Sequence, residues 1–423
     1  MSKYLPIFEL LCTDMAKREK SALPLCAAEN VVSPFAKIAL DSFIQEKYIM
    51  GGVHDFDADN NFMEAELLFK FYQLINTQCI ELYHSLYADP RALSGVNAVM
   101  VLLMSIFKEG DTLLISSEDS GGHSSMALIC KRLGISTIEL PFDYCTMDFD
   151  YDSINHILKT KKIHGVLICP SDLLWQPKLE NLILPPDCTL IYDATQTLGL
   201  MPHGANENPL LKFPDDARFI LMGATHKTIP GPTCGLIMTR NIELAKSFDK
   251  KINPDYLRNV QFHHVLSLAL VLMELEVYGK AYSEKIIYNA NYLGKKLEKN
   301  GFNVIKDEKG LYTTTHQLFL PMSITHLETY VKRCKELGIT LNARYKKLYR
   351  NAGIRLGLQE VTRYGWGNNE MDEIADIMTA IYYNSSDNRL IENKISNLAK
   401  NKKVYYTFEE EVLCKIDKIL HNS

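Results

Sequence analysis

Short apolar runs alternate with helix-like stretches through the middle of the chain, and this alternation restricts the fold more than any other feature. The apolar runs predict strands near residues 79–84, 112–116, 136–140, 165–169, 188–193, 218–222 and 234–239, between helices near 63–76, 94–108, 123–133 and 241–250. This pattern favours an α/β fold with a mostly parallel sheet and helices on both faces. Ligands bind such sheets beyond the carboxyl ends of the strands, so polar residues that follow strands are the candidate functional residues.

The flanking stretches predict two further parts. Before the alternation we expect a helix over residues 1–24, a second from Ser33-Pro34 to Tyr48, and a polar loop at His54–Asn61. After it we expect helices near 260–280, 283–299, 325–337 and 368–383, strands near 302–305, 315–321, 339–342 and 354–356, and two terminal helices. The predicted organisation is an N-terminal helical arm with an active-site loop (1–62), a large α/β domain (63–282) and a smaller α+β C-terminal domain (283–423).

Composition excludes several classes of protein. The 423 residues are 47% hydrophobic and 23% charged, which allows two domains with sizeable cores. The formal charge of -5 argues against a nucleic-acid partner. The ten cysteines have no CxxC or metal-ligand spacing, so we expect reduced thiols and no metal site. Seven charged residues within the first twenty, and the lack of a long apolar run, predict no signal peptide, no membrane partner and a cytoplasmic location.

One lysine has an unusual setting. Lys227 stands in the sequence GATHKTIPGP, after the strand-like run 219–222 and before the rigid turn at Pro230–Pro232. A fixed and partly desolvated amine loses its proton more readily, which suits a Schiff base with an aldehyde cofactor. For this residue taken alone, a surface lysine in a loop is the alternative.

Other strand ends carry groups that fit one such cofactor, pyridoxal phosphate. Asp193 can keep a pyridine nitrogen protonated, and Ser94-Gly95 at a predicted helix start can bind a phosphate. His123 can lie on the ring face, and Ser171 can reach the ring oxygen. Ordinary alternatives exist for each: a turn or cap residue for Asp193, an N-cap for Ser94, and loop residues for the other two.

Arg355 is the candidate for the substrate. It lies among apolar residues in the predicted strand Gly353-Ile354-Arg355-Leu356-Gly357. An arginine in such a position needs a fixed anion, and a substrate α-carboxylate that accepts two hydrogen bonds is a natural one. A structural salt bridge is the alternative.

Several motifs, in this order, resemble serine hydroxymethyltransferase and its fold-type I pyridoxal-phosphate relatives. They are Ala-Glu-Asn with Ser-Pro, Glu-Lys-Tyr, Gly-Gly-His, Asp-Ala, Thr-His-Lys-Thr with Gly-Pro, and Gly-Ile-Arg-Leu-Gly with Thr-Arg-Tyr-Gly. The resemblance extends patchily from about residue 20 to residue 380. It implies a fold-type I transferase that needs pyridoxal 5'-phosphate and an amino-acid substrate, in a homodimer or dimer of dimers with active sites at the dimer interface.

The resemblance also implies a role for each matching residue. Lys227 would be the Schiff-base lysine, Asp193 the partner of the pyridine nitrogen, and His123 the ring-stacking histidine. Arg355 would bind the substrate carboxylate. Glu29 and Tyr48 would act near the substrate, Tyr48 from the neighbouring subunit. The cofactor-binding positions would also include Ser94, Gly95, Ser171, Thr225 and His226.

Departures from the family concentrate on the second substrate. Met50 replaces the glutamate that serves as acid and base in folate chemistry, and Ala28 replaces a serine that helps hold the substrate. The segment Arg344–Arg350 is shorter than the family's pterin-side loop and differs from it. Further departures are Gln196 for a histidine, Thr233 for an arginine and Asn253–Arg258 for a glycine-rich segment. We therefore expect the cofactor and the amino-acid clamp to be retained and folate to be lost.

These expectations favour a folate-independent aldolase or transaldolase that acts on glycine, serine or threonine with an aldehyde as second substrate. With Met50 in place, the candidate bases are Glu29, His123 and a water molecule. Alternatives are a folate-dependent hydroxymethyltransferase, another reaction at Cα such as transamination, racemisation or decarboxylation, and a catalytically silent cofactor-binding subunit. The stretch His54–Asn61 is a candidate for second-substrate specificity, with an ordinary solvated loop as the alternative.

Overall fold

The computed structural model describes residues 2–57 and 62–421, so the second half of the predicted loop His54–Asn61 lies outside the described residues. The chain divides into two units. The large unit comprises Glu29–Glu284 and the chain from Tyr406 onward, and the small unit comprises the chain up to Ala28 and Lys285–Tyr405. The domain boundaries expected at residues 62 and 282 remain predictions.

The helices and strands have the following bounds. The helices are α1 (Leu5–Ser21), α2 (Pro34–Lys37), α3 (Ala65–Tyr83), α4 (Gly95–Ile106), α5 (Ser125–Arg132), α6 (Tyr151–Thr160), α7 (Ile242–Lys250), α8 (Phe262–Lys299), α9 (Ile324–Glu336), α10 (Gln359–Arg363), α11 (Asn368–Tyr382), α12 (Asn388–Ala399) and α13 (Glu410–His421). The strands are β1 (Leu23–Pro24), β2 (Tyr87–Ala92), β3 (Thr112–Ile115), β4 (Ser136–Glu139), β5 (Phe142–Asp143), β6 (Asp148–Phe149), β7 (Gly165–Ile168), β8 (Thr189–Asp193), β9 (Phe219–Ala224), β10 (Gly235–Thr239), β11 (Gln317–Pro321), β12 (Ile339–Thr340), β13 (Asn342–Arg344) and β14 (Gly353–Gly357).

A seven-stranded sheet lies in the large unit, in the order β2-β10-β9-β8-β7-β3-β4. The pairs from β9 to β4 are parallel, and β10 is antiparallel to both of its neighbours. Every residue of β7, β8 and β9 is buried, as expected for a sheet with helices on both faces. Apolar residues of α3, α4 and the first part of α8 belong to the same core. The predicted α/β fold with a mostly parallel sheet is confirmed.

The small unit contains a three-stranded antiparallel sheet in the order β11-β14-β13. Arg355, in the central strand, is opposite Phe319 on one side and Asn342 on the other. The short strand β1 pairs in parallel with β12, so the start of the chain joins elements more than three hundred residues later. The alternating residues Leu318, Leu320, Ile354 and Leu356 form a fully buried apolar set.

The prediction of a strand near residues 79–84 is wrong. These residues continue α3, which ends at Tyr83, and His84 closes the helix in a left-handed conformation (φ 53°). Cys79, Leu82 and Tyr83 are buried at helical spacing, and a short apolar run of this kind does not distinguish a strand from a buried helix. The strand of this region is β2 instead.

Four other predicted elements differ. The helix from Ser33 to Tyr48 stops after four residues and continues as two 3-10 turns, which are separated by Ser42 in extended conformation (φ -95°, ψ 163°). The helices predicted at 260–280 and 283–299 are one continuous helix, α8, because no proline separates them and Gly279, the glycine near their junction, continues the helix. The strand predicted near 302–305 does not form.

A buried ion network in the large unit holds the loop Gly51–Val53. Arg91 Nη2 donates to Asp89 Oδ2 (2.6 Å) and Asp249 Oδ1 (2.7 Å), and Arg91 Nη1 donates to the carbonyl oxygen of Gly51 (2.7 Å). The backbone N–H of Val53 donates to Asp249 Oδ1 (3.0 Å). The side chains of Arg91 and Asp89 have no exposed surface. These three charged residues are called the Arg91 network below.

Within residues 2–57 and 62–421, every helix is too short or too polar to span a bilayer. The same residues contain no group of three or more His, Cys, Asp or Glu side chains arranged to hold a metal ion.

Candidate active site

Asp193 is the last residue of β8 and is buried at the carboxyl edge of the sheet. Thr195 donates its backbone N–H (2.9 Å) and its hydroxyl to Asp193 Oδ1, so among the described residues both hydrogen bonds end on one oxygen. Burial raises the pKa of Asp193, whereas the hydrogen bonds from Thr195 and the charges of Lys227 and His123 lower it. Lys227 and His123 therefore lie near a desolvated carboxylate.

Lys227 lies in a closed turn after β9. The hydroxyl of Thr225 donates to the carbonyl oxygen of Pro232 (2.6 Å), and the N–H of Gly231 donates back to the carbonyl oxygen of Thr225 (2.9 Å). Asn30 Nδ2 donates to the carbonyl oxygen of Lys227 (2.5 Å). The turn thus fixes the backbone of the lysine, while the cofactor contact expected of Thr225 stays a prediction.

His226 is a neutral imidazole beside Lys227. Burial, and then the charge of Lys227, lower the pKa of His226 to about 4. Its Nδ1 is buried and has no hydrogen-bond partner within the described parts of the chain. A buried ring nitrogen without a hydrogen-bond partner suits a polar ligand, because leaving such an atom unpaired costs free energy.

His123 and Ser171 lie on two loops that hydrogen bonds join. The N–H of His123 donates to the carbonyl oxygen of Cys169 (2.9 Å), and the N–H of Ser171 donates to the carbonyl oxygen of Gly121 (2.7 Å). These loops follow β3 and β7, which are neighbours in the sheet. The Nδ1 atom of His123 accepts from the N–H of Ser125 (3.2 Å), which orients the ring and puts the proton of the neutral form on Nε2.

Ser94 and Gly95 begin α4. Ser94 Oγ accepts from the N–H of Asn97 (3.2 Å) as an N-cap. A Cβ on Gly95 would lie 3.0 Å from the Cβ of Ala224 and 3.3 Å from Thr195 Oγ1, so only glycine allows this approach without displacement. The first N–H groups of the helix have no acceptor within it and suit an anion.

Together these groups fit pyridoxal 5'-phosphate. The buried Asp193 suits a protonated ring nitrogen, the start of α4 suits the phosphate, and the fixed turn presents Lys227 to the aldehyde. The unfilled His226 Nδ1 is a polar atom that such a ligand would satisfy. The individual cofactor contacts stay predictions.

The other expected residues of the large unit lie on its N-terminal segment. Glu29 is exposed. Tyr48 is half-buried, and its ring packs against that of Phe62 at a centroid distance of 4.5 Å. Arg258 Nη1 contacts the sulfur of Met50 at 3.7 Å. The Arg91 network holds the residues that directly follow Met50.

Arg355 belongs to the small unit, where it is 2% exposed. Its Nε (3.2 Å) and Nη2 (2.8 Å) both donate to Asn342 Oδ1. Asn342 Nδ2 in turn donates to Cys26 Sγ (3.5 Å). The guanidinium is therefore oriented by a neutral amide, as a binding site for a carboxylate requires.

Two residues of the site were not predicted. The hydroxyl of Thr195 bridges Asp193 to the N–H of Ala224 (2.7 Å), and the Asp-Ala-Thr sequence is a local turn pattern that could have identified it. Asn30 reaches Lys227 across 197 positions, for which the sequence contains no signal.

Comparisons with known proteins agree on one family. The family model for serine hydroxymethyltransferase matches residues 5–378. Relatives described as serine hydroxymethyltransferase include those of Thermoplasma acidophilum, 31% identical with 89% of both chains covered, and Staphylothermus marinus, 30% identical with 97% of this chain and 95% of the relative covered. A solved structure, the L-threonine transaldolase of Pseudomonas fluorescens in its internal aldimine state, matches with a TM-score of 0.91 at 22% identity and covers 99% of this chain and 98% of its own. At that identity the match bears on the fold alone.

Proposed function

Because the chain belongs to the serine hydroxymethyltransferase family, we propose that it works without folate, as an aldolase or transaldolase. The coarser activity follows from the family: the protein is a pyridoxal-phosphate-dependent enzyme that acts at the Cα–Cβ bond of serine- or threonine-type amino acids. The proposal concerns the second substrate, for which we infer an aldehyde in place of folate.

Met50 is the observation that carries the proposal. The resemblance puts the acid and base glutamate of folate chemistry at this position, and a thioether neither gives nor takes a proton at neutral pH. Arg258 Nη1 lies 3.7 Å from the Met50 sulfur. The thioether that replaces the family's carboxylate is therefore next to a guanidinium. The altered segment Arg344–Arg350 on the pterin side supports the same conclusion.

Bound pyridoxal phosphate supplies an electron sink for the pair left at Cα when the Cα–Cβ bond breaks. We assign the following work to the chain. Asp193, a buried carboxylate, holds a proton at the ring nitrogen, and Asn30 holds the backbone of Lys227 in position. Arg355 binds the α-carboxylate through its guanidinium. The proton of the β-hydroxyl goes to Glu29, to His123 or to water, since Met50 cannot accept it.

The L-threonine transaldolase of Pseudomonas fluorescens supports the proposal of a transaldolase, because an enzyme named for that activity has the same fold, with a TM-score of 0.91. A second candidate, the folate-dependent hydroxymethyltransferase, is favoured by the names of the relatives at 30–31% identity. The homodimer, with Tyr48 contributed to the neighbouring active site, stays a prediction from the resemblance.

Threonine cleavage with and without tetrahydrofolate tests the proposal. We expect the purified protein to release acetaldehyde from L-threonine at a rate that tetrahydrofolate does not change, and to transfer the glycyl unit to a second aldehyde. Cleavage of L-serine that requires tetrahydrofolate, with no release of acetaldehyde from threonine, would establish the second candidate instead.

A lysine variant tests the silent-subunit alternative. Lys227→Ala should lose both amino-acid turnover and the visible absorbance of the lysine-bound cofactor, while circular dichroism stays unchanged. Wild-type protein that binds pyridoxal phosphate with this absorbance but turns over no amino acid would contradict the enzymatic proposal.

A further inference from the structure

The C-terminal segment of the chain returns to the large unit. From Tyr406 onward the chain belongs to this unit together with Glu29–Glu284, although the segment lies outside residues 5–378, which match the family. Three apolar residues of α13 are partly buried against the core of the unit: Leu413, Ile416 and Leu420. The segment is therefore a packed part of the unit that holds the candidate cofactor site.

Two aromatic rings of this segment pack on one face of α8. The ring centroid of Tyr406 lies 5.2 Å from that of Tyr282. The ring centroid of Phe408 lies 5.6 Å from that of Tyr278, which is four positions before Tyr282 and so its neighbour on the helix surface. Phe408 also packs against Phe35 of α2 at 4.9 Å. The C-terminal segment thus joins α8 to α2.

The backbone of Tyr406 indicates that its ring is held in place. Its φ angle is 59°, a left-handed conformation that bulky residues rarely adopt. Such a conformation costs free energy and persists where the surrounding contacts impose it. The ring contact with Tyr282 is one of these contacts. An unconstrained chain end would relax, so the position of the Tyr406 ring is part of the packed structure.

Tyr282 connects this packing to the candidate active site. It is fully buried, and its hydroxyl oxygen accepts from Asn30 Nδ2 (2.9 Å). The same nitrogen donates to the carbonyl oxygen of Lys227 (2.5 Å), and Asn30 Oδ1 accepts from the N–H of Val31 (2.8 Å). A carbonyl oxygen only accepts and a backbone N–H only donates, so the contacts with Lys227 and Val31 fix which way the amide faces. Tyr282 then accepts the second hydrogen of the amide nitrogen.

From this series of contacts we propose that Tyr282 is a positioning residue for Lys227. Its hydroxyl, held in place by the ring of Tyr406, orients the amide of Asn30, and that amide fixes the backbone of the lysine. A group that is fixed before it binds loses less freedom on binding, so the arrangement favours the bond between Lys227 and pyridoxal phosphate. The inference rests on the cofactor role proposed for Lys227 and not on the choice between folate and an aldehyde.

Equilibrium dialysis of the holoenzyme against graded concentrations of pyridoxal phosphate tests the proposal without turnover. The measurement is the free cofactor concentration that gives half of the visible absorbance of the lysine-bound form. Tyr282→Phe removes one hydroxyl, and we expect it to raise this concentration by about 2- to 10-fold, the usual effect of one hydrogen bond. Tyr278→Phe is the matched control, since it removes a hydroxyl from the same face of α8, and it should behave like wild type.

A double-mutant cycle determines whether Tyr282 acts through Asn30. Asn30→Ala alone should raise the half-saturating concentration at least as much as Tyr282→Phe does. In the Asn30→Ala background, Tyr282→Phe should cause no further rise, because the amide that the hydroxyl orients is absent. A purely structural role of Tyr282 would lower the unfolding midpoint and add its effect in both backgrounds. Additive effects, or a Tyr282→Phe protein that behaves like wild type, would overturn the proposal.

A separate pair of variants tests the C-terminal ring. Tyr406→Asn removes the ring, and asparagine tolerates the left-handed backbone, so the comparison is free of added strain. We expect this variant to raise the half-saturating concentration of pyridoxal phosphate. Tyr406→Phe keeps the ring and should stay closer to wild type. Equal values for the two variants would overturn the role of the Tyr406 ring.

Turnover and a lysine variant separate this inference from the proposed function. With L-threonine, or with L-serine and tetrahydrofolate, kcat of Tyr282→Phe should fall while KM for the amino acid stays unchanged, because Lys227 must rebind the cofactor in each cycle. If Lys227→Ala keeps the visible absorbance, the role of Lys227 fails and this inference fails with it. If Lys227→Ala loses the absorbance but threonine is not cleaved, the folate-independent function fails, and the dialysis result still supports the positioning role.

Discussion

The Arg91 network and strand β14 each hold an arginine in a buried setting, but the hydrogen-bond partners described for Arg91 and for Arg355 differ in charge. Arg91 has two carboxylates of its own chain within 2.7 Å, Asp89 and Asp249. Arg355 donates Nε and Nη2 to the neutral amide oxygen of Asn342. A closed network of two carboxylates and one arginine serves the fold, whereas an arginine oriented by an amide suits the carboxylate ligand that the family resemblance predicts for Arg355.

The largest effect should come from opening the closed network. Arg91→Met leaves Asp89 and Asp249 buried without their cation, which we expect to lower the free energy of unfolding by about 3–5 kcal/mol in urea denaturation. The triple variant Arg91→Met, Asp89→Asn, Asp249→Asn should recover part of this loss. Arg350→Asn, at an exposed position, should leave the unfolding midpoint unchanged. An Arg91→Met protein as stable as wild type would remove the distinction between the two regions.

Replacement of Arg355, the proposed substrate-binding arginine, should affect substrate binding instead. Arg355→Lys keeps the charge but loses the planar fork, so we expect KM for L-threonine to rise by about 10- to 100-fold. The visible absorbance of the bound cofactor should remain, and this spectrum distinguishes lost substrate binding from lost cofactor. Arg350→Asn again serves as the control with an unchanged KM. An unchanged KM in Arg355→Lys would instead favour a structural salt bridge.

A glycine substitution sharpens the account of the closed network. A Cβ on Gly52 would lie 2.3 Å from Asp249 Oδ2, so Gly52→Ala must displace a carboxylate that Arg91 holds. We expect a loss of about 1–3 kcal/mol in the free energy of unfolding, as for overpacked cores. Gly367→Ala is the matched control, since among the described residues its Cβ would meet just the end of the flexible Lys285 side chain. Equal stability of both variants would contradict the tight packing around Asp249.

The smallest effect concerns pH. The pKa of His226 is lowered to about 4 in the folded chain, from an ordinary value of 6.5. Between pH 6.5 and 4 the unfolded chain therefore binds a proton that the folded chain does not, and stability falls as pH falls. We expect the denaturation midpoint of His226→Asn to decline less between pH 7 and 5 than that of wild type. Parallel declines would mean that His226 is protonated in the folded protein.

Whether a feature could be predicted from the sequence depended on how far apart in the chain the residues that form it lie. The strands β7, β8 and β9 are buried on both faces, so each appears as a continuous apolar run and was predictable. The run at 79–84 is also rich in apolar residues but belongs to α3, and only its packing decides between the two structures. The pyridoxal-phosphate cofactor and the family were likewise predictable, from motifs of a few residues.

Contacts between distant segments were not predictable. The hydrogen bond from Asn30 to Lys227, the pairing of β1 with β12 and the Arg91 network each join segments far apart in the sequence. Asp89 and Arg91 have ordinary neighbours, and neither residue indicates that Asp249 will complete their network. The roles of Glu29, Tyr48 and Arg355 remain predictions from the resemblance, which the proposed variants and substrates test.

The Arg91 network also has a consequence for the order of folding. Its hydrogen bonds join positions 40, 158 and 196 residues apart in the chain. Since ribosomes add about 5–20 residues per second, Val53 is synthesised roughly 10–40 s before Asp249. Contacts over such separations form late, because they require closure of long loops. The segment that carries Tyr48 and Met50 can therefore take its final place only after residue 249 has been made.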